Sequence, residues 1–382
     1  MLLATAALLV LSYRSMMSAD TGFANRDALS MDLQLRGAGL FAAQAFDVKA
    51  RRSFYTKLLD RLREAPGVTS AAAILLRPLE GTIGWDVPYK FEFEIGDKDS
   101  RVLPKVNYEV VTPDYFKTVG TALLEGRDFD AHDSEEAEPV VIISRMLAER
   151  IRAAGYSPLG YRIRLGLSGP GWNKVVGVCS DARYRSITQK GADIFVPYLQ
   201  ASQPTNYVII RGTQSAKDLA ALARQTLADI DSTQAVAGVA TIGQLIDANA
   251  ARHRFNMILL LWFGLCAAIL AATGVYSVIA ETMVAREREI AIRTVLGAQQ
   301  IRLVSDLVSR TLGFVLIGES LGALAVFALG KLGSGLLYGV SVRDPLVLGS
   351  VAAFLLLISL GAAFLPAWSA AGNDPLVSLR AS

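Results

Sequence analysis

Three long apolar runs occupy the second half of the chain, and a mixed, mostly polar stretch fills the first. Met257–Ala280 holds no acidic or basic side chain, and Cys266 is its one cysteine. Thr311–Gly330 is interrupted only by Glu319, and Leu346–Trp368 carries Pro366 near its end. Each run meets the roughly 20 residues a helix needs to cross a bilayer. Runs of this length exceed what one soluble core requires, so the pattern predicts membrane spans. The opening run, Met1–Leu11, is about half a span. It lacks the basic start and the small-x-small cleavage site of a signal peptide.

From Ala28 to about Arg254 the pattern changes. Leu29, Met31, Leu33 and Leu35 alternate with polar residues, which predicts a half-buried strand. Phe54, Leu58, Leu59 and Leu62 recur at helical spacing and stop at Pro66-Gly67. Further strands are expected at Val68–Leu76, Tyr108–Val111, Val140–Ile143, Tyr161–Leu165, Lys174–Cys179, Ile194–Tyr198 and Tyr207–Arg211. A helix after Val140–Ile143 has Ser144 as its expected N-cap, and a second runs from about Ala216 to Ile230. Short strands mixed with helices in this order predict an α+β domain.

Composition supports this division: 52% of residues are hydrophobic and 19% charged, too apolar for a soluble chain and too charged for an all-membrane one. The net charge of +3 gives no electrostatic case for nucleic acid. Cys179 and Cys266 fall in different segments, so no disulfide framework is expected.

Candidate chemistry is sparse. Glycine pairs with P-loop spacing occur, such as Gly155 and Gly160, but none precedes Lys-Ser or Lys-Thr, so no nucleotide site is expected in this chain. Gly318-Glu319-Ser320-Leu321-Gly322 matches a serine-hydrolase pattern, yet it lies within an apolar helix and lacks a histidine partner. The same residues form Gly-x-x-x-Gly, a helix-packing face built on Gly318 and Gly322 beside Glu319. His132, His253 and the two cysteines offer no metal-ligand spacing. Asp128, Asp130, Asp133, Glu135, Glu136 and Glu138 form an acidic cluster that reads as an exposed loop. The expectation is therefore no catalytic, cofactor or metal site.

Between the first two spans, residues 286–298 read Arg-Glu-Arg-Glu-Ile-Ala-Ile-Arg-Thr-Val-Leu-Gly-Ala. As a helix, this segment places Ile290, Ile292, Val295 and Leu296 among alternating charges, and Gly297 suits a C-terminal cap. Alternating Glu and Arg bind anionic lipid poorly, because their signs cancel, and suit a protein surface. Arg286, Arg288, Arg293 and Arg302 outweigh Lys331 and Arg343 across the next span, which places residues 286–302 in the cytoplasm and the soluble domain outside.

The pattern Arg-x-x-Glu-Ile-x-Ile-Arg-x-x-x-Gly-Ala resembles the signature of FtsX/MacB-type ABC transporter permeases. Phrases in the soluble part resemble that family's MacB-like periplasmic core domain: Ala65-Pro66-Gly67-Val68, Thr112-Pro113-Asp114-Tyr115-Phe116, Glu125-Gly126-Arg127-Asp128-Phe129, Pro158-Leu159-Gly160 and Val175-Val176-Gly177-Val178. The chain is most similar to the second half of a duplicated permease of the acidobacterial type.

The resemblance implies an α-helical transmembrane bundle with an extracytoplasmic α+β domain. Residues 1–15 would be a partial first transmembrane helix, 16–254 the external domain and 255–382 the FtsX-like permease domain. The latter would hold spans 257–280, 311–330 and 346–368 and a coupling helix 284–297. Arg286, Glu287, Arg288, Glu289, Arg293 and Gly297 would receive force from a separate cytoplasmic ABC ATPase, so that ATP binds the partner. Other implied partners are a second permease subunit, as homo- or heterodimer, membrane lipid and an extracytoplasmic adaptor. The implied location is the bacterial inner membrane, multi-pass, with the C-terminus cytoplasmic. The implied work is export or efflux; the alternative is FtsX-like signalling that regulates an external cell-wall hydrolase or a sensor system.

Overall fold

The computed structural model describes residues 2–34, 48–79, 85–94, 103–166, 171–188, 190–201, 205–285, 309, 313, 315–328 and 344–371. They divide into two compact units, Asp20–Ala250 and Met1–Ala19 with Ala251–Ser382.

The first unit is built on one mixed sheet of eleven strands. Its outer part comes from two interleaved segments: β1 (Leu29–Gln34), α2 (Val48–Glu64) and β2 (Val68–Ile74), then β10 (Tyr207–Gly212), α5 (Ala216–Ile230) and β11 (Ala235–Thr241). The strand order is β11-β1-β10-β2, antiparallel throughout. Each half is thus a split β-α-β unit with a strand of the other half inserted, the ferredoxin-like arrangement. α2 and α5 pack on the sheet through Tyr55, Leu58, Leu59 and Leu62 and through Leu219, Ala220, Ala223 and Leu227, all buried. These are the apolar stripes that helical spacing marks out.

Between β2 and β10 the chain inserts a second element. It comprises β3 (Trp85–Phe91), β4 (Lys105–Val111), α3 (Tyr115–Val119), β5 (Leu123–Gly126), β6 (Val140–Ser144), α4 (Arg145–Ala153), β7 (Arg162–Leu165), β8 (Trp172–Cys179) and β9 (Asp193–Pro197). Pairings run β4-β3-β7-β8-β6-β9, and β9 pairs back to β4, closing a six-stranded barrel. β4–β9 and β6–β8 are parallel. The barrel joins the outer part at one strand pairing, Ile74 opposite Val111.

In the second unit, α1 (Leu2–Ser18) packs against α8 (Pro345–Ala371), and Leu3 lies against Gly264 of α6 (Ile242–Ala285). α7 spans Val315–Ala328. Among the described residues, α6 and α8 are long and apolar enough to cross a membrane; α1 and α7 are shorter. At 1.5 Å per residue α1 is about 25 Å long, and it extends past the apolar run that ends at Leu11.

Two expectations need correction, and one helix is longer than its apolar run. Ser144 stands at the N-cap position of α4, but its side chain caps nothing there; its Oγ instead accepts the Asp193 N–H at 3.1 Å. Ser144 is wholly buried, and the inserted strand competes for its hydroxyl more effectively than the helix end. α6 begins at Ile242, well before its apolar run, because Thr241 and Gln244 cap its start reciprocally. Finally, Asp133 of the acidic loop is 3% exposed, since Arg127 grips it.

Candidate functional site

The segment expected to dock the ATPase, with Arg286, Glu287, Arg288, Glu289, Arg293 and Gly297, lies outside the described residues and begins directly after α6 ends at Ala285. The helix that leads to it is apolar on its surface: Trp262, Leu270 and Val278 are exposed, which in a membrane means covered by lipid. Gly318, Glu319 and Gly322 lie on α7. A Cβ added at Gly318 would meet nothing within 4 Å among the described residues. Ser320 Oγ donates to Leu316 O at 2.7 Å, a back-bond within the helix. Glu319 Oε1 is buried without a hydrogen-bond partner.

Four of the five family-like phrases of the external domain, scattered in sequence, meet in space. Gly126 ends β5 with φ 76° and lies opposite Gly177 of β8. A Cβ there would stand 2.1 Å from Val176 O. Arg127 N–H donates to Val176 O at 3.0 Å, and Gly160 N–H donates to Val175 O at 2.8 Å. Leu159 Cδ2 closes the same spot, 2.9 Å from the added Cβ. Asp114 takes φ 68°, and its N–H donates to Asp128 Oδ2 at 3.2 Å. Arg63, just before Ala65-Pro66-Gly67-Val68, donates to Pro113 O at 3.1 Å. These four phrases therefore serve backbone approach and turn geometry, and Gly67, at φ 82°, turns the fifth beside Gln214.

The acidic cluster resolves into pairs. Arg127 holds Asp133 with two hydrogen bonds of 2.7 Å, one to each oxygen. Glu138 pairs with Lys174 at 3.1 Å, and Arg52 pairs with Glu135. Asp128 is pushed up to about 6 by burial, against two backbone N–H bonds that hold it down. An open groove of about 480 Å³ lies beside this element, lined by Phe93, Tyr156, Leu159, Tyr161, Glu92 and Arg162. The rings of Phe93 and Tyr156 are parallel within 4°, with centroids 6.0 Å apart. Nothing in the single sequence marked this cluster, because Phe93 follows β3 while Tyr156 and Tyr161 belong to the connection between α4 and β7.

Two family models match the chain: the MacB-like periplasmic core domain over residues 5–229 and the FtsX-like permease C-terminal over residues 261–375. The macrolide export ATP-binding/permease protein MacB of Hahella chejuensis is 25% identical over 297 residues, covering 73% of this chain and 43% of that protein. The protein of the same name from Acinetobacter baylyi is 24% identical over 281 residues, covering 70% and 41%. The chain thus spans about two-fifths of the length of these relatives. Among solved structures, the periplasmic region of MacB from Actinobacillus actinomycetemcomitans aligns with a TM-score of 0.39 at 12% identity, covering 61% of this chain and 97% of that one. The extracellular domain of the noncanonic ABC-type transporter YknZ from Gram-positive bacteria gives 0.36 at 15% identity, covering 55% and 100%. The first family model covers more than half of the chain and the second falls on the segment of the spans: the chain belongs to the FtsX/MacB-like ABC transporter permeases, membrane proteins with an extracytoplasmic domain.

Proposed function

We propose that this permease subunit couples ATP hydrolysis by a separate cytoplasmic ATPase to movement of its external domain, in the service of export. The carrying observation is the charged Arg286–Gly297 pattern, placed after α6 and before the next apolar segment. Such a segment cannot enter lipid and presents alternating charge to a protein surface at the membrane face. The chain carries no P-loop sequence, so the nucleotide belongs to the partner. Export is the class of work carried over from the two relatives named for macrolide export. A second permease subunit completes the membrane assembly, and the C-terminus is cytoplasmic.

The test is charge reversal. The double variant Glu289→Arg, Arg293→Glu is expected to insert normally and to lose stimulation of the co-purified ATPase, because like charges then face each other across the contact. Undiminished stimulation would make the segment a membrane anchor and nothing more.

A further inference from the structure

The barrel closes through one parallel pairing, and two carboxyl groups are buried at that seam. Glu109 on β4 and Asp193 on β9 are each 1% exposed. Asn107 lies opposite Asp193 and Glu109 opposite Phe195, so these four residues share one face of the seam. Asn107 bridges the acids: its Nδ2 donates to Asp193 Oδ1 at 3.0 Å, and its side chain also bonds to Glu109. Leu76 N–H donates to Glu109 Oε2 at 3.2 Å.

The groups that face this pair are few. From the segment after β8 come Arg185, Tyr184 and Asp181; from α3, Tyr115; from β8, Cys179; and from β4 itself, Tyr108. Arg185 is the cation among them. Its Nε donates to Asn107 Oδ1 at 2.7 Å and its second terminal nitrogen to Asp86 Oδ1 at 2.9 Å. The guanidinium therefore binds an amide and an exposed carboxylate, and touches neither buried acid directly. Asp181 accepts Met146 N–H at 2.7 Å and pairs with Arg145 at 3.4 Å, and its charge still pushes Asp193 upward.

We infer that the β4–β9 seam is a proton-operated latch on the external domain, shut while Glu109 and Asp193 hold their protons and loosened when Asp193 releases its own. Two buried carboxylates with no ionic partner in contact repel each other and lack hydration, and this burial outweighs the hydrogen bonds that Asn107 and Leu76 donate to them, which favour the charged forms. Burial raises Glu109 well above the usual carboxylate range and Asp193 to about 7. A free aspartate titrates at about 3.9. Between these values the folded state binds more protons than the unfolded one, so seam stability is full below the lower value and is lost as pH rises toward 7. The latch lies on the side of the membrane where the cytoplasm does not buffer the proton concentration.

Hydrogen exchange of the full chain in nanodiscs, corrected for the intrinsic pH dependence of exchange, tests this between pH 5.5 and 8. Protection in peptides covering β4 and β9 is expected to fall with rising pH by up to about tenfold per unit for each linked proton, Glu109 and Asp193 both being linked below pH 7. α2 and β2 should stay level. Asp193→Asn, which is neutral at every pH, should keep the seam protected and remove one proton's share of the slope below pH 7, leaving that of Glu109. A flat wild-type profile overturns the latch, and so does a slope that is undiminished in Asp193→Asn. Should that variant fail to fold, the localisation of the wild-type fall to β4 and β9, or its absence there, decides the matter.

Discussion

Gly126 shows how far single residues could be read without a structure. The phrase around it was visible, but not the reason for it. That reason is a carbonyl from the neighbouring strand: Val176 O would stand 2.1 Å from any Cβ at this position, where φ is 76°. Left-handed strain alone costs about 1 kcal/mol, and the collision involves backbone on both sides, which cannot swing away. Gly126→Ala is therefore expected to destabilise the external domain by roughly 3 kcal/mol, at the upper end of ordinary substitutions. Gly155→Ala, with φ 88° but open space around it, should cost only the strain. Urea unfolding followed by tryptophan fluorescence in detergent would rank the two. Equal losses would show that the neighbour at Gly126 yields. Asp133 teaches the converse. A run of acids reads as a solvated loop, and most of it is, yet the pairing that buries Asp133 depends on the turn from Arg127, which the charge pattern does not specify.

At the scale of elements, legibility followed side-chain chemistry. Strands rich in Val and Ile, such as β6 and β10, announced themselves, and α5 begins and ends where its periodicity does. β3 did not, because Pro88 within it argues against a strand. β11 is mostly alanine with Gly238, residues of low strand preference. β5 is four residues long. Caps were the least legible feature, as two serines show. Ser215 accepts the Asp218 N–H at 3.3 Å and donates to Asp218 Oδ2 at 2.7 Å, a working cap on α5. Ser144 occupies the same position on α4 with its hydroxyl turned to β9. Ser215→Ala should cost about 1 kcal/mol and fray the first turn of α5. Ser144→Ala should leave the start of α4 unchanged and expose the Asp193 amide. Site-resolved hydrogen exchange separates these results, and fraying of α4 in Ser144→Ala would restore the cap.

For the whole molecule, hydrophobic runs and basic residues fixed different things. Run length marked α6 and α8 as membrane-crossing candidates, and Met257–Ala280 lies wholly within α6. It could not mark where α6 starts, since Ile242–Phe255 is polar enough to pass for a surface helix. Orientation rests on arginine counts alone: Arg286, Arg288, Arg293 and Arg302 against Lys331 and Arg343, with Arg252 and Arg254 opposing. That contrast is testable with single cysteines in a background lacking Cys179 and Cys266. Cys266 is exposed on α6, whereas Cys179 is buried with its thiol toward Ile143 O, so alanine or serine at Cys179 must be checked for folding first. Lys217 is exposed on α5 in the external domain. In intact cells Lys217→Cys should react with a membrane-impermeant maleimide, and Gln299→Cys should react only after the membrane is opened. The two positions lie on either side of the first span, so a correctly inserted chain cannot label both from one side. The reversed pattern would put the charged segment outside and remove the basis for ATPase docking, while labelling of both from outside would mean that α6 does not cross the membrane at all.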